Sequence, residues 1–370
     1  MIPRFPKSKS RSSPLPEYMV IDSRDGLEEL VRQEVGEEAM NFVLSQIGSL
    51  SSDAFVGSTS TRFNILRLPD NHYKHIVNLK QINDFRFLNK FFESVNKKLP
   101  DGGLFIDFVE TYATRRNRKL KKYWPPFNWL VYLIDLVFYR IMPKLPFTRG
   151  IYFFITRGKR RILSKAETFG RLYSCGFEVV DEKVIQDLLF FCARKIKEPA
   201  YDMNPTYGPI ARLRRVGKDG KMFNVYKLRT MHPYSEYLQD YVYQKHKLAE
   251  GGKFKNDFRI SWEGAFFRKF WLDELPMLIN LIKGDMKLVG VRPLSRQYFS
   301  MYSKELQEKR TKSKPGLLPP FYADMPKTLE EIMDSEARYL DAYEKAPFRT
   351  DIKYFFKIFY NILVKGKRSK

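Results

Sequence analysis

Cysteine and histidine are scarce, two and four residues in a chain of 370. Cys175 and Cys192 lie outside any CxxC spacing and the histidines are scattered, which excludes a disulfide framework and a structural zinc site and fits a reducing cytoplasm. No uninterrupted apolar run reaches the roughly 20 residues of a spanning helix. The N-terminal MIPRFPKSKSRSSPLP is basic with no apolar run behind it, so residues 1–16 read as a disordered basic tail, not a secretory signal. No GxGxxG loop occurs in residues 17 to 70, so the first half carries no glycine-rich cofactor cradle. Acidic residues are the minority, 42 against 66 basic, for a net charge of +24. That excess biases the partners toward phosphates, on nucleotides, nucleic acid or an anionic membrane surface. No recognised nucleic-acid motif accompanies it, so nucleic acid is not expected as a partner.

A hydrophobic content of 44% supports a folded protein, and the length suggests two domains. The stretch GLEELVRQEVGEEAMNFVLSQIG places Leu27, Leu30, Val31, Phe42, Val43 and Ile47 at helical spacing. RFNILRL and YKHIVNLK then read as strands, INDFRFLNKFFESVNKK as a helix and DGGLFIDFVET as a turn and a buried strand. AETFGRLYSCGFEVVDEKVIQDLLFFCARKI continues the α/β alternation with a helix, a turn at Gly176 and two apolar strands. The order LPDGGLFI, GRLYSCGF, LLFFCARK weakly resembles the second half of a class I methyltransferase-like Rossmann domain, which implies a partial Rossmann-like domain over residues 17–200. The Pro-rich KEPAYDMNPTYGP marks its end near residue 200.

Inside that region six basic residues from Arg115 to Lys122 precede Trp124 and an apolar run, Phe127 to Met142, bounded by Pro125, Pro126, Pro143 and Pro146. Asp135 and Arg140 interrupt the run, and it is too short to span. Its basic and aromatic flanks suit a segment, residues 124–147, that lies in or dips into one leaflet; a core helix with a solvated basic flank is the alternative.

After the boundary, RRVGKDGKMFNVYKLRTMHP reads as a hairpin whose far arm carries Lys227 and Arg229, either facing an anion or simply exposed. In LDELPMLINLIKGDM, Pro276 suits a first helical turn, with an apolar face at Leu278, Ile279, Leu281 and Ile282. By local rules Asp273 reads equally as an N-cap and Glu274 as a dipole partner. Arg292 follows a short apolar strand and precedes Pro293, which fixes a loop where a guanidinium can grip a phosphate. Asp285 reads as a turn residue.

In this order the strings RVGKDGKMFNVYKLRTM, GGKFKNDFRI, FFRKFWLDELPMLINLIKGDMKLVGVRP, KPGL and TDIKYFFKIFYNIL resemble the bacterial sugar transferase family, the monotopic polyprenyl-phosphate phosphoglycosyl transferases. The resemblance covers residues 203–364, with residues 365–370 left as a basic tail. It implies an α+β domain with amphipathic membrane-surface helices, acting at the cytoplasmic face of the bacterial inner membrane. It also implies transfer of a sugar-1-phosphate from a nucleotide-diphospho-sugar, a UDP-sugar by expectation, to a polyprenyl phosphate, starting exopolysaccharide, O-antigen or capsule-type glycans. Asp273 and Glu274 would be the catalytic dyad and hold Mg²⁺, with Asp273 the nucleophile. Lys227, Arg229, Arg268, Arg292 and Pro293 would receive the substrate phosphates, because a carboxylate approaches a diphosphate only when the repulsion is neutralised. A silent membrane-docking scaffold of glycan assembly is the competing expectation.

The chain also departs from the family. The apolar re-entrant helix expected before the RxGxxGKxF strand is replaced by KEPAYDMNPTYGPIARL, so the 127–142 run is the candidate for the missing membrane contact. DELPM lacks the usual Gln after the proline, VRP stands for Pro-Arg-Pro, and KPGLLPPFYAD replaces a KPGITGWAQ-type segment. The closing FRTDIKYFFKIFYNILVKGKRSK sets Ile352, Phe355, Phe356, Phe359, Ile362 and Leu363 at helical spacing, for a bilayer surface or for a core.

Overall fold

The computed structural model describes residues 24–201, 208–245 and 257–363. The basic tails, all of GGKFKN and the side chains of Leu27, Leu30 and Leu363 lie outside the described residues. The chain forms two compact units, and the division is not linear. The first takes residues up to Glu110 and Gly176–Pro199; the second takes Thr111–Cys175 and everything from Ala200. The segment 111–175, read from sequence as part of the N-terminal domain, therefore belongs to the unit that carries the acid pair.

The first unit is a five-stranded sheet of β1 (Ala54–Gly57), β2 (His75–Asn78), β3 (Leu104–Val109), β4 (Phe177–Ile185) and β5 (Leu188–Lys195), in the order β1-β2-β3-β5-β4. β1, β2 and β3 are parallel, and β5 enters antiparallel between β3 and β4. Alternation along each strand covers both faces. Val77, Ile106, Phe190 and Cys192 pack under the helices Arg24–Val35 and Glu37–Ile47, which break apart at Gly36. On the other face, Phe105 meets Phe91, Phe92, Phe177 and Phe191 edge-on or tilted. RFNILRL is not the expected strand. It forms the helix Arg62–Leu66, because Thr61 accepts a hydrogen bond from Phe63 N and caps it. Both cysteines are buried free thiols, and burial pushes that of Cys192 up to about 12.

The second unit is mixed α+β. Its strands are the antiparallel hairpin β6 (Ile210–Val216) and β7 (Met222–Leu228) and the parallel pair β8 (Lys287–Val289) and β9 (Gly316–Leu318). The hairpin turns at Asp219 and Gly220, both left-handed, as GKDGK predicts. Two C-terminal helices, Leu329–Lys345 and Pro347–Leu363, close over β8 through the fully buried Tyr339. Its hydroxyl donates to Asp351 at 2.6 Å, and Lys287 Nζ donates to Tyr339 Oη at 2.9 Å.

Segment 111–175 is held together by buried ion pairs and reaches the rest of this unit through Arg140. Asp135 receives both Nε and Nη2 of Arg115, at 2.6 and 2.8 Å. Arg140 Nη2 lies 3.0 Å from His232 Nδ1 and its guanidinium sits over the Tyr112 ring. Arg171 donates to Glu167 at 2.8 Å, with Lys144 3.6 Å from the same carboxylate. Burial and the neighbouring cations Arg140 and Lys144 push His232 down to about 3, so it is neutral at ordinary pH and its Nδ1 accepts from Arg140. Against a burial that opposes its charge, Lys144, Arg171 and Arg140 hold Glu167 well below the usual carboxylate range.

Candidate active site

The acid pair sits where one helix ends and another begins. Ser261 caps the helix Trp262–Lys269 by accepting from Gly264 N at 3.0 Å. Gly264 is required there, since a Cβ would lie 2.0 Å from the Thr230 carbonyl oxygen on which the helix rests. The chain then reverses at Trp271, a non-glycine residue in the left-handed region at φ 56°, whose ring lies against Tyr322 with centroids 5.2 Å apart. A 3-10 turn, Leu272–Met277, follows and runs directly into the helix Leu278–Ile282. The N-cap alternative fails: Asp273 and Glu274 both lie inside the first turn, and the cap position is Trp271, with no side-chain cap bond. Of the four apolar positions on the following helix, Leu281 packs against Val225, Met277 and Met286, and the other three do not form a core face. Leu278 and Ile279 are exposed and Ile282 is 87% exposed.

The side chains converge from three elements. Lys227, at the end of β7, donates from Nζ to Glu274 Oε1 at 2.6 Å. Arg268 is oriented by Thr230, whose Oγ1 accepts from its Nε at 2.9 Å. Asp273 lies in the field of both cations. Burial raises its carboxyl above the ordinary range, the Lys227 and Arg268 charges oppose that rise, and Glu274 adds to it. Burial lowers Arg268, and Asp273 and Asp257 hold it charged. Lys227 closes its ion pair on Glu274, which leaves Asp273 as the half-buried member of the acid pair with no ion pair of its own.

Four of the expected site residues, Asp273, Glu274, Lys227 and Arg268, are thus brought together. Arg229 turns elsewhere: its Nε donates to the Gly208 carbonyl at 3.0 Å, and Glu236 and Glu167 are the acids that favour its charge. Arg292 is exposed beside Arg215, its carbonyl accepts from Arg310 Nη2 at 2.6 Å, and Pro293 is buried behind it.

Sequence reasoning passed over Asn280, a fully buried residue that fastens the site to the hairpin. Its Nδ2 donates to the Asn224 carbonyl at 2.7 Å and to Asp285 Oδ2 at 3.2 Å, while Oδ1 accepts from Tyr226 N at 3.1 Å. Asp285 is, as expected, a turn residue. The available signal was a lone amide inside the apolar run MLINLI. Asn280→Ala strands a buried N–H and a buried carbonyl and should destabilise the second unit by about 2 kcal/mol, read as a lower denaturant midpoint.

Residues 200–365 match the family described as bacterial sugar transferase. Over 104 residues the chain is 38% identical to the galactosyl transferase CpsE of Streptococcus agalactiae, covering 28% of this chain and 23% of that protein. It is 39% identical over 108 residues to the undecaprenyl-phosphate galactose phosphotransferase of Salmonella typhimurium, 28% of this chain and 22% of that one. A UDP-N-acetylgalactosamine-undecaprenyl-phosphate N-acetylgalactosaminephosphotransferase of Aeromonas hydrophila is 35% identical over 100 residues, 27% and 21% of the two chains. The matched stretch spans less than a quarter of each of these three relatives. The C-terminal region of this chain is therefore similar to the bacterial sugar transferase family.

Proposed function

We propose that the protein is a phosphoglycosyl transferase that moves a sugar-1-phosphate from a nucleotide-diphospho-sugar to a polyprenyl phosphate. The observation that carries this reading is the division of labour in the acid pair: Glu274 is held by Lys227, and Asp273, with no ion pair of its own, feels the charges of Lys227 and Arg268. Asp273 Oδ attacks the phosphorus that bears the sugar, the phosphoanhydride bond breaks, and nucleoside monophosphate leaves with the electron pair. The sugar-phosphoryl aspartate is then attacked by the polyprenyl phosphate oxygen, which regenerates the carboxylate. Lys227 and Arg268 lower the repulsion between the carboxylate and the diphosphate, and Glu274 fixes Lys227.

Asp273 and Glu274 would be the residues to hold a Mg²⁺, since Mg²⁺ is commonly held by one or two carboxylates with substrate phosphates. Among the described residues no cluster of three or more acidic, histidine or cysteine ligands offers a dedicated metal cage. When bound, Mg²⁺ would neutralise phosphate charge. The donor nucleotide is proposed to be uridine, the place of action the cytoplasmic face of the membrane, and the product the first lipid-linked sugar of a surface glycan. Among the described residues no helix is long and apolar enough to cross a membrane.

The test is release of nucleoside monophosphate from a panel of nucleotide sugars, with Mg²⁺ and polyprenyl phosphate. No release across the panel would leave a scaffold. Titration of the Asp273 carboxyl in metal-free protein, followed by carbon-13 NMR, supplies a second check. Burial lifts its pKa, so it should titrate above an ordinary aspartate. Lys227→Met removes a charge that lowers this pKa and should move the titration to higher pH. Glu274→Gln removes a charge that raises it and should move the titration to lower pH. Shifts in the same direction would contradict this account of the pair.

A further inference from the structure

Arg140 interrupts the apolar run 127–142, whose Phe127, Leu130, Ile134 and Ile141 are exposed, yet it is itself only 7% exposed. Its guanidinium sits against the Tyr112 ring at 5.2 Å, donates from Nη1 to the Ile162 carbonyl at 3.4 Å, and donates from Nη2 to His232 Nδ1 at 3.0 Å. Tyr112 and Ile162 belong to the same segment as Arg140. His232 lies 92 positions away and is buried, so without Arg140 its Nδ1 would lose this donor in a place where water does not replace it.

His232 is one end of a short antiparallel ladder. Its N–H donates to the Arg259 carbonyl at 2.8 Å, Met231 bridges Ile260, and Ser261 N donates to the Thr230 carbonyl at 3.0 Å. Both partners at the far end of the ladder serve Arg268. Ser261 caps the helix Trp262–Lys269 that carries it, and the Thr230 hydroxyl accepts from its Nε at 2.9 Å. A guanidinium held through Nε still presents its two Nη groups as a fork, and Asp273 is the carboxylate that most favours its charge. Arg140 is not among the charges that shift Arg268 or Asp273, so its effect on the pair is one of placement.

We infer that Arg140, which lies outside residues 200–365, is a positioning residue for Arg268: by holding His232 it keeps Thr230–His232 in register with Arg259–Ser261, and so keeps the Thr230 hydroxyl on Arg268 Nε. The part Arg268 plays in the reaction rests on the transferase reading; its placement by Arg140 does not.

The test is hydrogen exchange of the Arg268 Nε–H, followed by NMR in the full chain labelled with nitrogen-15 arginine and free of substrate, together with donor turnover. In the wild type this proton should be protected. Arg140→Met loses the donor and His232→Leu the acceptor. Each should speed the exchange about tenfold and lower kcat about tenfold. Donor KM should stay nearly unchanged, because Lys227 remains on Glu274. Arg140→Lys keeps a donor and a charge and should restore most of both. Where Thr230→Val has already removed the anchor, adding Arg140→Met should lower kcat by less than about twofold more. A wild-type Arg268 Nε–H that exchanges as fast as one in open solvent would overturn the inference. So would wild-type exchange in Arg140→Met and His232→Leu proteins that melt as folded chains; if Arg140→Met does not fold, His232→Leu decides. Losses from Arg140→Met and Thr230→Val that multiply would put Arg140 on another path and overturn it as well. The exchange measurement uses no substrate, so it decides the positioning whether or not a nucleotide sugar is turned over.

Discussion

Asp273→Asn should release nucleoside monophosphate at less than about a thousandth of the wild-type rate, a loss of about 4 kcal/mol of transition-state stabilisation. An amide matches the carboxylate in shape and lacks its nucleophilic oxygen. The Lys227–Glu274 pair is left in place, so the fold and the cation beside the reacting phosphate should both survive. Stability should not suffer, because burial already disfavours the Asp273 charge. Unfolding of wild type and variant at neighbouring midpoints, with turnover lost only in the variant, separates chemistry from folding. Turnover by Asp273→Asn at the wild-type rate would remove Asp273 from the reaction.

Gly316→Ala should be among the most damaging single methyls in the second unit. β8 and β9 approach so closely that a Cβ on Gly316 would lie 2.1 Å from Gly290 N and 2.5 Å from Gly290 Cα. Both neighbours are backbone, so no side chain can swing aside and the strands must part. The cost should be about 3 kcal/mol or more, the upper end for overpacking. The strain would pass to the Arg292–Pro293 loop, because Gly316 N donates to the Val291 carbonyl at 2.9 Å. We expect a lower denaturant midpoint together with a rise in donor KM. A variant as stable as wild type would mean that the strand pair relaxes freely.

The site was legible in the sequence to the extent that its chemistry is local. The acid pair and Arg268 lie within one short motif, and the turn at Asp219–Gly220 fixes the hairpin that delivers Lys227. The surroundings of Arg229 and Arg292 were not legible, because a cation's sequence position does not reveal which carbonyl or carboxylate it turns toward. Asn280 went unremarked because its partners lie on β7, more than 50 positions away. The same limit governed the fold. The strands around Phe105 and Phe191 follow from apolar patterning, but RFNILRL is as apolar and β-like as a strand, and only the Thr61 cap decides for a helix. The boundary near residue 200 gave no sign that the chain leaves the first unit at Thr111 and returns at Gly176. Asp135 and Arg140 read as interruptions of an apolar run. Their partners, 20 and 92 positions distant, are what turn them inward and leave the apolar side chains outside.

The central claim is the covalent role of Asp273, and intact-protein mass spectrometry tests it most directly. Wild-type protein mixed with Mg²⁺ and its nucleotide sugar, with acceptor withheld, should gain the mass of one sugar phosphate. The adduct should map to the peptide containing Asp273, be absent from Asp273→Asn, and disappear when polyprenyl phosphate is added. Full transfer to the acceptor with no adduct on the protein at any time, from a donor that stays intact until the acceptor arrives, would contradict it.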